Sequence, residues 1–406
     1  MDIEIRPIAP EEFGDFAVAV DSAFGHVPRP EELELYRKLF EFERSLAAFD
    51  TGAIVATAGA ESLRVTVPGG SLPMAGVTAV AVRPTHRRRG LLTMMMRRQL
   101  DDVRDAGEPL AGLWASEGAI YQRFGYGLAT LLGRFEIDRQ RTAFARPVQW
   151  DGGVRQVPRD EAMKLFPPVH ERVVERYPGM FARTSARWEH DFADLENQRE
   201  GASPFFFAVY ESSEGPEGYV AYRVKTDWPE GLPSNTVHVR ELMAATNQAY
   251  AALWRFCFDM DLVGAIESWG RPAEEPLMHM LAHPRALRLR LGDALWLRLV
   301  DLPAALTQRR YASEGRVTFE VRDGFCPWNE GHFELEGGPE GADCRPTTKS
   351  AGMIVDAADL AAAYLGGTRF RTLQRASRAV EVEQGTLEQA DDMFTWDPPP
   401  WCPQVF

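Results

Sequence analysis

Three consecutive arginines and a glycine stand between an apolar strand and the start of a helix. Arg87-Arg88-Arg89-Gly90 follows the small, β-branched segment Ala75–Val82, and Met94–Ala106 is predicted to be helical. Backbone N–H groups at such a loop and first helical turn point at one spot, where the helix dipole adds positive potential. The arginines add charge, and a glycine lets the backbone approach a ligand closely. The segment therefore predicts an anion cradle, a loop that binds a negatively charged ligand, and the expected ligand is a pyrophosphate.

Two other interpretations of this segment need weighing. The Walker A pattern GxxxxGK[ST] and the dinucleotide fingerprint GxGxxG are both absent from it. A basic run is also typical of a solvated surface patch or of a nucleic-acid contact. Its position between a buried strand and a helix, with the strand Leu110–Ser116 next along the chain, favours the cradle.

Composition limits the class of partner. Against 45 Lys and Arg there are 59 Asp and Glu, and the net charge of −14 opposes nucleic-acid binding. A negative field instead concentrates cationic small substrates. The four cysteines are too few and scattered for a disulfide framework or a zinc cluster, so we expect no metal. Neither a secretory signal nor an apolar stretch approaching a membrane span of about 20 residues is seen, which predicts a cytoplasmic protein without a membrane partner.

The elements around the loop alternate in type. Strands are predicted at Ile3–Ile8, Ser45–Phe49 and Ile54–Leu63, with a hairpin turn at Gly69-Gly70, and helices at Pro10–Ala23 and Pro30–Phe42. The middle of the chain repeats the order strand, strand, strand, helix, strand at Phe205–Tyr210, Gly218–Val224, Thr236–Ala245, Ala249–Asp261 and Gly264–Ser268. Only three residues precede its helix, with no Arg-x-x-Gly, and Asn247 is the expected N-cap. A degenerate copy of the first domain is therefore predicted, with an unrelated α+β domain as the alternative.

The last quarter of the chain differs in its pattern from the first domain and from the predicted copy of it. Strands are predicted at Leu295–Val300, Val317–Val321, His332–Leu335 and Ser350–Val355, with helices at Pro303–Arg309 and Asp356–Leu365. The final residues, FTWDPPPWCPQVF, are rich in proline and aromatics, whereas frayed tails are usually polar. A docked tail is therefore expected. Trp254 has two interpretations, a core anchor on its apolar helix or a wall of a substrate cleft, and the first is favoured.

Two motifs carry a resemblance to a known family. Val80–Leu92 resembles the acetyl-CoA-binding motif V-x-V-x-P-x-x-R-x-x-G-x-[GA] of the GNAT acetyltransferases, with Leu92 in place of the usual Gly or Ala. Tyr121–Tyr126 resembles the family's Y-x-[KR]-x-G-[FY] segment. HRRRGLL, ASEGAIYQRFGYG and the final Phe are similar to one subgroup, the mycobacterial enhanced intracellular survival (Eis) acetyltransferases. The resemblance covers the whole chain and is strongest over about Ala75–Thr130.

This resemblance implies a fold and site roles. The implied fold is α/β (α+β), with a catalytic GNAT domain at 1–145, a degenerate GNAT-like domain at 146–290 and a sterol-carrier-protein-like domain at 291–406. The backbone of Val80, Ala81 and Val82 would pair with the pantetheine arm as an added strand. The pyrophosphate would be held by Arg87, Arg88, Arg89, Gly90, Leu91, Leu92 and Thr93, and the arm would be flanked by Ser116 and Glu117.

The acid and the base are also implied. Tyr121 would protonate the departing thiolate, for which a phenol with a reference pKa near 10 is suitable; the alternative is a buried aromatic. Tyr126 would pack beside Gly125. The terminal carboxylate of Phe406 would take the amine proton, although its low reference pKa requires burial or a water relay. His86, His190 and His238 remain as other candidates for the base.

The prediction is an acetyl-CoA-dependent N-acetyltransferase. It would move acetyl directly to primary amines of cationic acceptors, such as aminoglycosides, polyamines or lysines, since no cysteine is placed beside a base as a nucleophile. The resemblance implies a homohexamer. The alternatives are a carrier that binds CoA or lipid without chemistry and a nucleic-acid-associated regulator, the latter opposed by the net charge.

Overall fold

The fold contains three β-sheets in the computed structural model, which describes residues 3–406. Up to Thr130 the elements are β1 Glu4–Pro7, α1 Phe13–Ala23, α2 Pro30–Arg37, β2 Leu46–Asp50, β3 Ala53–Val67, β4 Gly70–Val82, α3 Leu91–Asp105, β5 Leu110–Trp114, α4 Gly118–Tyr121 and β6 Gly127–Leu128. The next part of the chain contains β7 Leu131–Asp138, β8 Gly153–Val157, α5 Arg159–Val174, α6 Ser185–Asp191, β9 Phe206–Ser212, β10 Gly215–Lys225, β11 Asn235–Ala244, α7 Asn247–Phe258, β12 Val263–Pro272, α8 Leu277–Met280 and β13 Arg290–Asp293. The last part contains β14 Leu295–Leu299, α9 Leu302–Thr307, β15 Gly315–Arg322, β16 Gly331–Gly338, β17 Gly341–Pro346, β18 Met353–Asp356, α10 Ala357–Ala363, α11 Phe370–Arg375, β19 Ala379–Glu381 and α12 Thr386–Phe394.

The chain divides into two compact units. One unit holds the chain up to Thr130, Ala294–Pro400 and Val405–Phe406. The other holds Leu131–Asp293 together with Trp401–Gln404. The first unit contains the first and third sheets, and the second unit contains the second sheet.

The first sheet has the strand order β1-β2-β3-β4-β5-β14-β6. Its pairs are antiparallel except β4 with β5, which run parallel and are joined through α3. Helix α3 buries Met95, Met96, Leu100 and Val103, whose spacing of one, three and four residues gives one apolar stripe. This strand–helix–strand unit is where the sequence predicted the anion cradle.

The second sheet repeats that arrangement. Its order is β13-β7-β12-β11-β10-β9-β8, and helix α7 joins β11 to the parallel β12. The predicted copy of the first domain is confirmed. Trp254 on α7 is fully buried in the core, as expected. The N-cap of α7 is Thr246, whose hydroxyl accepts from the N–H of Ala249, so the expectation of Asn247 was wrong by one residue.

The third sheet, β17-β16-β15-β18-β19, carries α10 to α12 and completes the C-terminal part of the first unit. The sequence analysis did not identify β6, β7, β8, β13, β17 or β19, and all of these except β7 lie at the edge of a sheet. Edge strands pair on one side only, so their apolar alternation is weak. Cys257, Cys326, Cys344 and Cys402 are buried free thiols.

Two strands belong to sheets other than those expected. Leu131–Asp138, which the sequence analysis did not identify as a strand, falls within the expected first domain of 1–145 but pairs with β12 and β13 in the second sheet. Leu295–Leu299, expected to open the third domain, lies between β5 and β6 in the first sheet. All five of its residues are buried, which is the pattern of a central strand covered on both faces.

Within residues 3–406, none of the helices is long and apolar enough to cross a membrane. In the same part of the chain, no group of three or more His, Cys, Asp or Glu side chains is arranged to hold a metal ion.

Candidate active site

Strands β4 and β5 separate at one point in the first sheet. Their parallel pairing ends with Val77 opposite Leu113, while β4 continues to Val82. Ala79 has φ +52°, and the register with β3 shifts beside it, so β4 contains a bulge. On the β5 side, residues 78–82 of β4 have no strand partner in the described part of the chain. The backbone here is open for an extended ligand arm to add as a strand.

Two buried polar side chains hold the bulge. The hydroxyl of Thr57 donates to the carbonyl of Ala79 at 2.7 Å, and Nε2 of Gln99 donates to the carbonyl of Gly59 at 2.8 Å. Both bonds satisfy carbonyls that the shifted register leaves without regular partners. Sequence reasoning missed both residues. The signal was present for Gln99, an amide on the buried stripe of α3, where an apolar residue is the norm.

The arginine loop joins β4 to α3. The N–H of Arg83 donates to the carbonyl of Val55 at 2.9 Å and fixes the loop's start. Arg87, Arg88 and Arg89 are exposed, and Arg88 and Gly90 have φ values of +62° and +80°. The left-handed conformation at Gly90, which glycine adopts at low cost, turns the chain into the helix.

Helix α3 begins at Leu91 rather than at Met94, with Gly90 as its N-cap. Leu91 is buried against β2 and β3, and Leu92 packs half-buried on the adjoining core, while Thr93 is exposed. The two leucines therefore face the core, which leaves only their backbone N–H groups available to an anion. The first N–H groups of a helix lack intrahelical partners, and α3 has 15 residues to add its dipole.

Tyr121 lies where the two strands part. It belongs to the same buried cluster as Val77 and Leu113, the last pair between β4 and β5, and is 6% exposed. Burial raises the pKa of its phenol above the ordinary value. Ser116 and Glu117 are exposed between the end of β5 and α4, which carries Tyr121 as its last residue.

Tyr126 has the packing role expected of it. It is fully buried, its ring lies edge-on to Tyr121 with centroids 6.1 Å apart, and its hydroxyl lies 3.7 Å from the sulfur of Met96. The intervening Gly125 has φ +82°, and a Cβ there would stand 1.7 Å from Nη1 of Arg298 on β14. Arg298 is itself buried in an ion pair with Asp323. The turn that carries Tyr121 is thus supported by β14, a strand that is more than 170 residues away in the sequence.

Phe406 lies on β4. A Cβ built on Gly76 would be 3.0 Å from Cδ2 of its ring, so the ring covers this glycine.

The three histidines named as other candidates for the base each lie near a carboxylate: His86 beside Asp50 at 3.1 Å, His190 beside Asp191 at 3.2 Å and His238 beside Glu267 at 3.1 Å.

The docked tail predicted from the sequence is confirmed. Trp401, Cys402 and Gln404 are buried within the second unit. The Trp401 backbone N–H donates to the carbonyl of Pro178 at 2.8 Å, and its indole N–H donates to the carbonyl of Gly270 at 3.0 Å.

The second domain has a matching gap that is already filled. Beyond Val239 opposite Ser268, β11 and β12 no longer pair. Arg271 lies in this space, where its guanidinium donates to the carbonyl of Leu242 at 2.9 Å. The ring of Trp401 lies 5.6 Å from the same guanidinium. These side chains occupy the position that the open backbone has in the first domain.

The fold and site define a tandem GNAT acetyltransferase with an appended domain. Residues 4–129 and 179–299 each match the acetyltransferase (GNAT) domain family, and residues 302–403 match the sterol carrier protein domain family. The chain is 42% identical to an uncharacterized N-acetyltransferase of Streptomyces avermitilis over the full length of both. It is 35% identical to N-acetyltransferase Eis of Mycobacterium tuberculosis over 91% of each. Eis1 of Mycobacterium abscessus matches in structure with a TM-score of 0.87 and 32% identity, covering 99% of this chain and 100% of that one. The chain belongs to the Eis family of N-acetyltransferases.

Proposed function

We propose that the protein transfers acetyl from acetyl-CoA directly to primary amines of cationic acceptors, among them aminoglycosides, polyamines and lysine side chains. The family supports N-acetyl transfer from acetyl-CoA. The observation that carries the proposal is the separation of β4 from β5 at Val77 and Leu113, with Tyr121 packed at the same point. The −14 net charge supports a cationic acceptor.

The residues fit acetyl-CoA in two places. The open backbone at Val80, Ala81 and Val82 suits the pantetheine arm, with Ser116 and Glu117 beside it at the end of β5. Arg87–Arg89 and the N–H groups from Gly90 to Thr93 suit the pyrophosphate. When bound, acetyl-CoA supplies an acetyl group activated as a thioester.

Two residues would transfer protons during the reaction, one as the acid and one as the base. The raised pKa of Tyr121 keeps its phenol protonated, so it holds a proton for the departing sulfur. The carboxylate of Phe406, the last residue of the sequence, would accept the proton of the attacking amine. Cys326 lies in the Tyr121 cluster, but burial raises the pKa of its thiol, which disfavours a covalent cysteine route.

The carrier alternative is not favoured by the interior of the C-terminal domain. Arg309 is fully buried there, and its guanidinium donates to the carbonyls of Arg310 and Phe394 at 2.9 and 3.1 Å. It lies 4.5 Å from the ring centroid of Tyr311. A charged group with polar partners occupies this interior, whereas a lipid chain needs an apolar cavity.

The test is a screen of amines with acetyl-CoA, read as release of free thiol. We expect thiol release with polyamines and aminoglycosides and mass gains of one or more acetyl groups on the acceptor. Thiol release that does not depend on any amine would contradict the proposal. By the family resemblance we propose a homohexamer, which mass measurement in solution tests. From the sequence, which shows no secretory signal, we propose a cytoplasmic location, which cell fractionation tests.

A further inference from the structure

One loop of the C-terminal domain packs against the turn that carries Tyr121. Residues 323–330 connect β15 to β16, and Phe325 in this loop lies half-buried on the apolar cluster that contains Tyr121. The proposed mechanism gives this loop no role. The contacts of the Phe325 ring show which elements of the site the loop joins.

Phe325 contacts two parts of the proposed site at once. Its ring lies edge-on to the ring of Phe124, with centroids 4.9 Å apart, and Phe124 is buried three residues after Tyr121 in the same turn. The guanidinium of Arg97, on helix α3, lies over the Phe325 ring at 3.9 Å from its centroid and donates to the carbonyl of Phe325. Phe325 therefore joins the helix that we expect to bind the pyrophosphate to the turn that carries the proposed acid.

Buried polar contacts fix the loop at both ends. At its start, Asp323 forms the buried ion pair with Arg298 of β14. Near its end, the side-chain amide of Asn329 donates to the carbonyl of Val300, directly after β14, at 3.1 Å. The loop is therefore anchored to the first sheet by contacts that do not involve the ring of Phe325.

The turn that carries Tyr121 depends on such packing for its conformation. Its helix α4, Gly118–Tyr121, has only four residues, and Gly125 follows with φ +82°. A helix this short is not stable by itself, so its neighbours set the direction of the Tyr121 phenol. Proton transfer requires hydrogen-bond geometry, and a displacement of about 1 Å can cost about 100-fold in rate.

We propose that Phe325 is a positioning residue, whose ring, packed on Phe124, holds the turn so that the phenol of Tyr121 is aligned with the departing sulfur. The proposal rests on the proposed function, in which Tyr121 is the acid. It gives the C-terminal domain a part in catalysis that a resemblance to sterol carriers does not suggest. Phe325 acts through the turn and not on the reacting atoms.

The test is a double-mutant cycle in steady-state kinetics with acetyl-CoA and spermidine, or with the fastest acceptor of the amine screen. Phe325→Ala should lower kcat by about 10- to 100-fold and leave KM for acetyl-CoA unchanged. In a chain that already carries Tyr121→Phe, the same substitution should change kcat by less than about 2-fold, because the group that Phe325 positions is gone. A residue with a merely structural role would lower kcat by the same factor in both backgrounds.

Other variants control for stability, and denaturation midpoints show that each variant is folded. Phe325→Tyr keeps the ring and should keep kcat near the parental value. Trp328→Ala is the matched control, since it removes a ring from the same loop that lies 4.5 Å from the guanidinium of Arg104 on α3, and it should lower stability while leaving kcat near parental. If Phe325→Ala does not fold, Phe325→Leu takes its place in the cycle and should lower kcat by a smaller factor.

Three results would overturn the proposal: an unchanged kcat in Phe325→Ala, an equal loss of kcat with and without Tyr121→Phe, or the same loss in Trp328→Ala. Thiol release by the parental protein separates these results from a failure of the proposed function. If the parental protein releases no thiol with any amine, the proposed function fails first and this proposal fails with it.

Discussion

The ring of Phe406 covers Gly76 on β4, with Cδ2 only 3.0 Å from where a Cβ of residue 76 would stand. A larger residue at 76 would also meet the side chain of Leu63 at 2.5 Å. Glycine at this position therefore permits the close approach of the last residue of the sequence to the strand that carries the bulge. The contact places the last residue of the sequence beside β4, and the proposed role of its carboxylate can be tested.

Adding a few small residues after Phe406 should leave a folded protein that binds acetyl-CoA and acetylates amines poorly. The extension turns the carboxylate into an amide and moves the charge away, so kcat should fall by about 10²- to 10³-fold, in the range for loss of a general base. The same residues added before Met1 serve as the control. Deleting Val405 and Phe406 should act like the extension. Amine acetylation at the parental rate by the extended chain would mean that another group takes the proton.

Tyr121→Phe should lower kcat by about 10²- to 10⁴-fold while leaving acetyl-CoA affinity unchanged, because the variant lacks only the proton proposed for the leaving sulfur. The ring fills a buried site, which phenylalanine fills equally well. Turnover and calorimetric binding of acetyl-CoA are the two measurements. The matched control is Tyr126→Phe, which removes a hydroxyl that faces the sulfur of Met96 and should keep near-parental turnover. The reverse result for these two variants would move the acid to Tyr126.

The local parts of this site could be predicted from the sequence. The arginine loop and its helix are contiguous, so their residue types and order suffice to predict an anion cradle. The start of α3 was predicted three residues late, because Leu91 and Leu92 have the composition of a buried strand end as much as of a first helical turn. The conformation of Gly90, which decides this boundary, is not encoded in a hydrophobic pattern.

The parts that were missed depend on partners distant in sequence. Leu295–Leu299 has the same apolar pattern in any sheet, and only pairing with β5 and β6 assigns it to the first. That Glu61 lies opposite Gly76 follows only from the strand register. Gln99 holds a bulge that the alternation of β4 does not reveal. Register and long-range pairing are set by the whole fold, so a local pattern does not specify them.

Gly90→Val should weaken acetyl-CoA binding at least about 10-fold, since a β-branched residue strongly disfavours positive φ and would redirect the N–H groups of the first turn. A Cβ at this position meets no atom within 4 Å, so the effect is conformational rather than steric. Gly107, just beyond the other end of the same helix, has φ +74° and equally open surroundings, which makes Gly107→Val the control. Both variants should lose similar stability, and calorimetry should show weakened acetyl-CoA binding in Gly90→Val alone. Equal affinities in the two variants would remove the loop from the pyrophosphate site.

The tail of the chain is held by a buried histidine, and this predicts a dependence on pH. The side-chain Nε2 of Gln404 lies 3.2 Å from Nε2 of His170, and Gln404 also exchanges hydrogen bonds with the backbone of Phe181. The amide of Gln404 donates here, so the imidazole accepts and is neutral. Burial, helped by the charge of Arg183, lowers the pKa of His170 to about 3.

Stability should therefore fall as the pH is lowered from about 6.5 towards 3, because in this window the unfolded chain binds a proton at His170 that the folded chain does not. The contribution of one such group approaches about 1.4 kcal/mol per pH unit. His170→Gln, which retains a hydrogen-bond acceptor but does not titrate, should show a shallower decline in the midpoint of chemical denaturation between pH 6.5 and 4.5. His283→Gln, at an exposed histidine, should follow the parental curve. Protonation also turns Nε2 of His170 into a donor facing the donor of Gln404, so the tail should become protease-sensitive over the same range in the parental protein. If the denaturation midpoint declined equally with pH in the parental protein and in His170→Gln, the histidine would not govern the acid sensitivity of the fold.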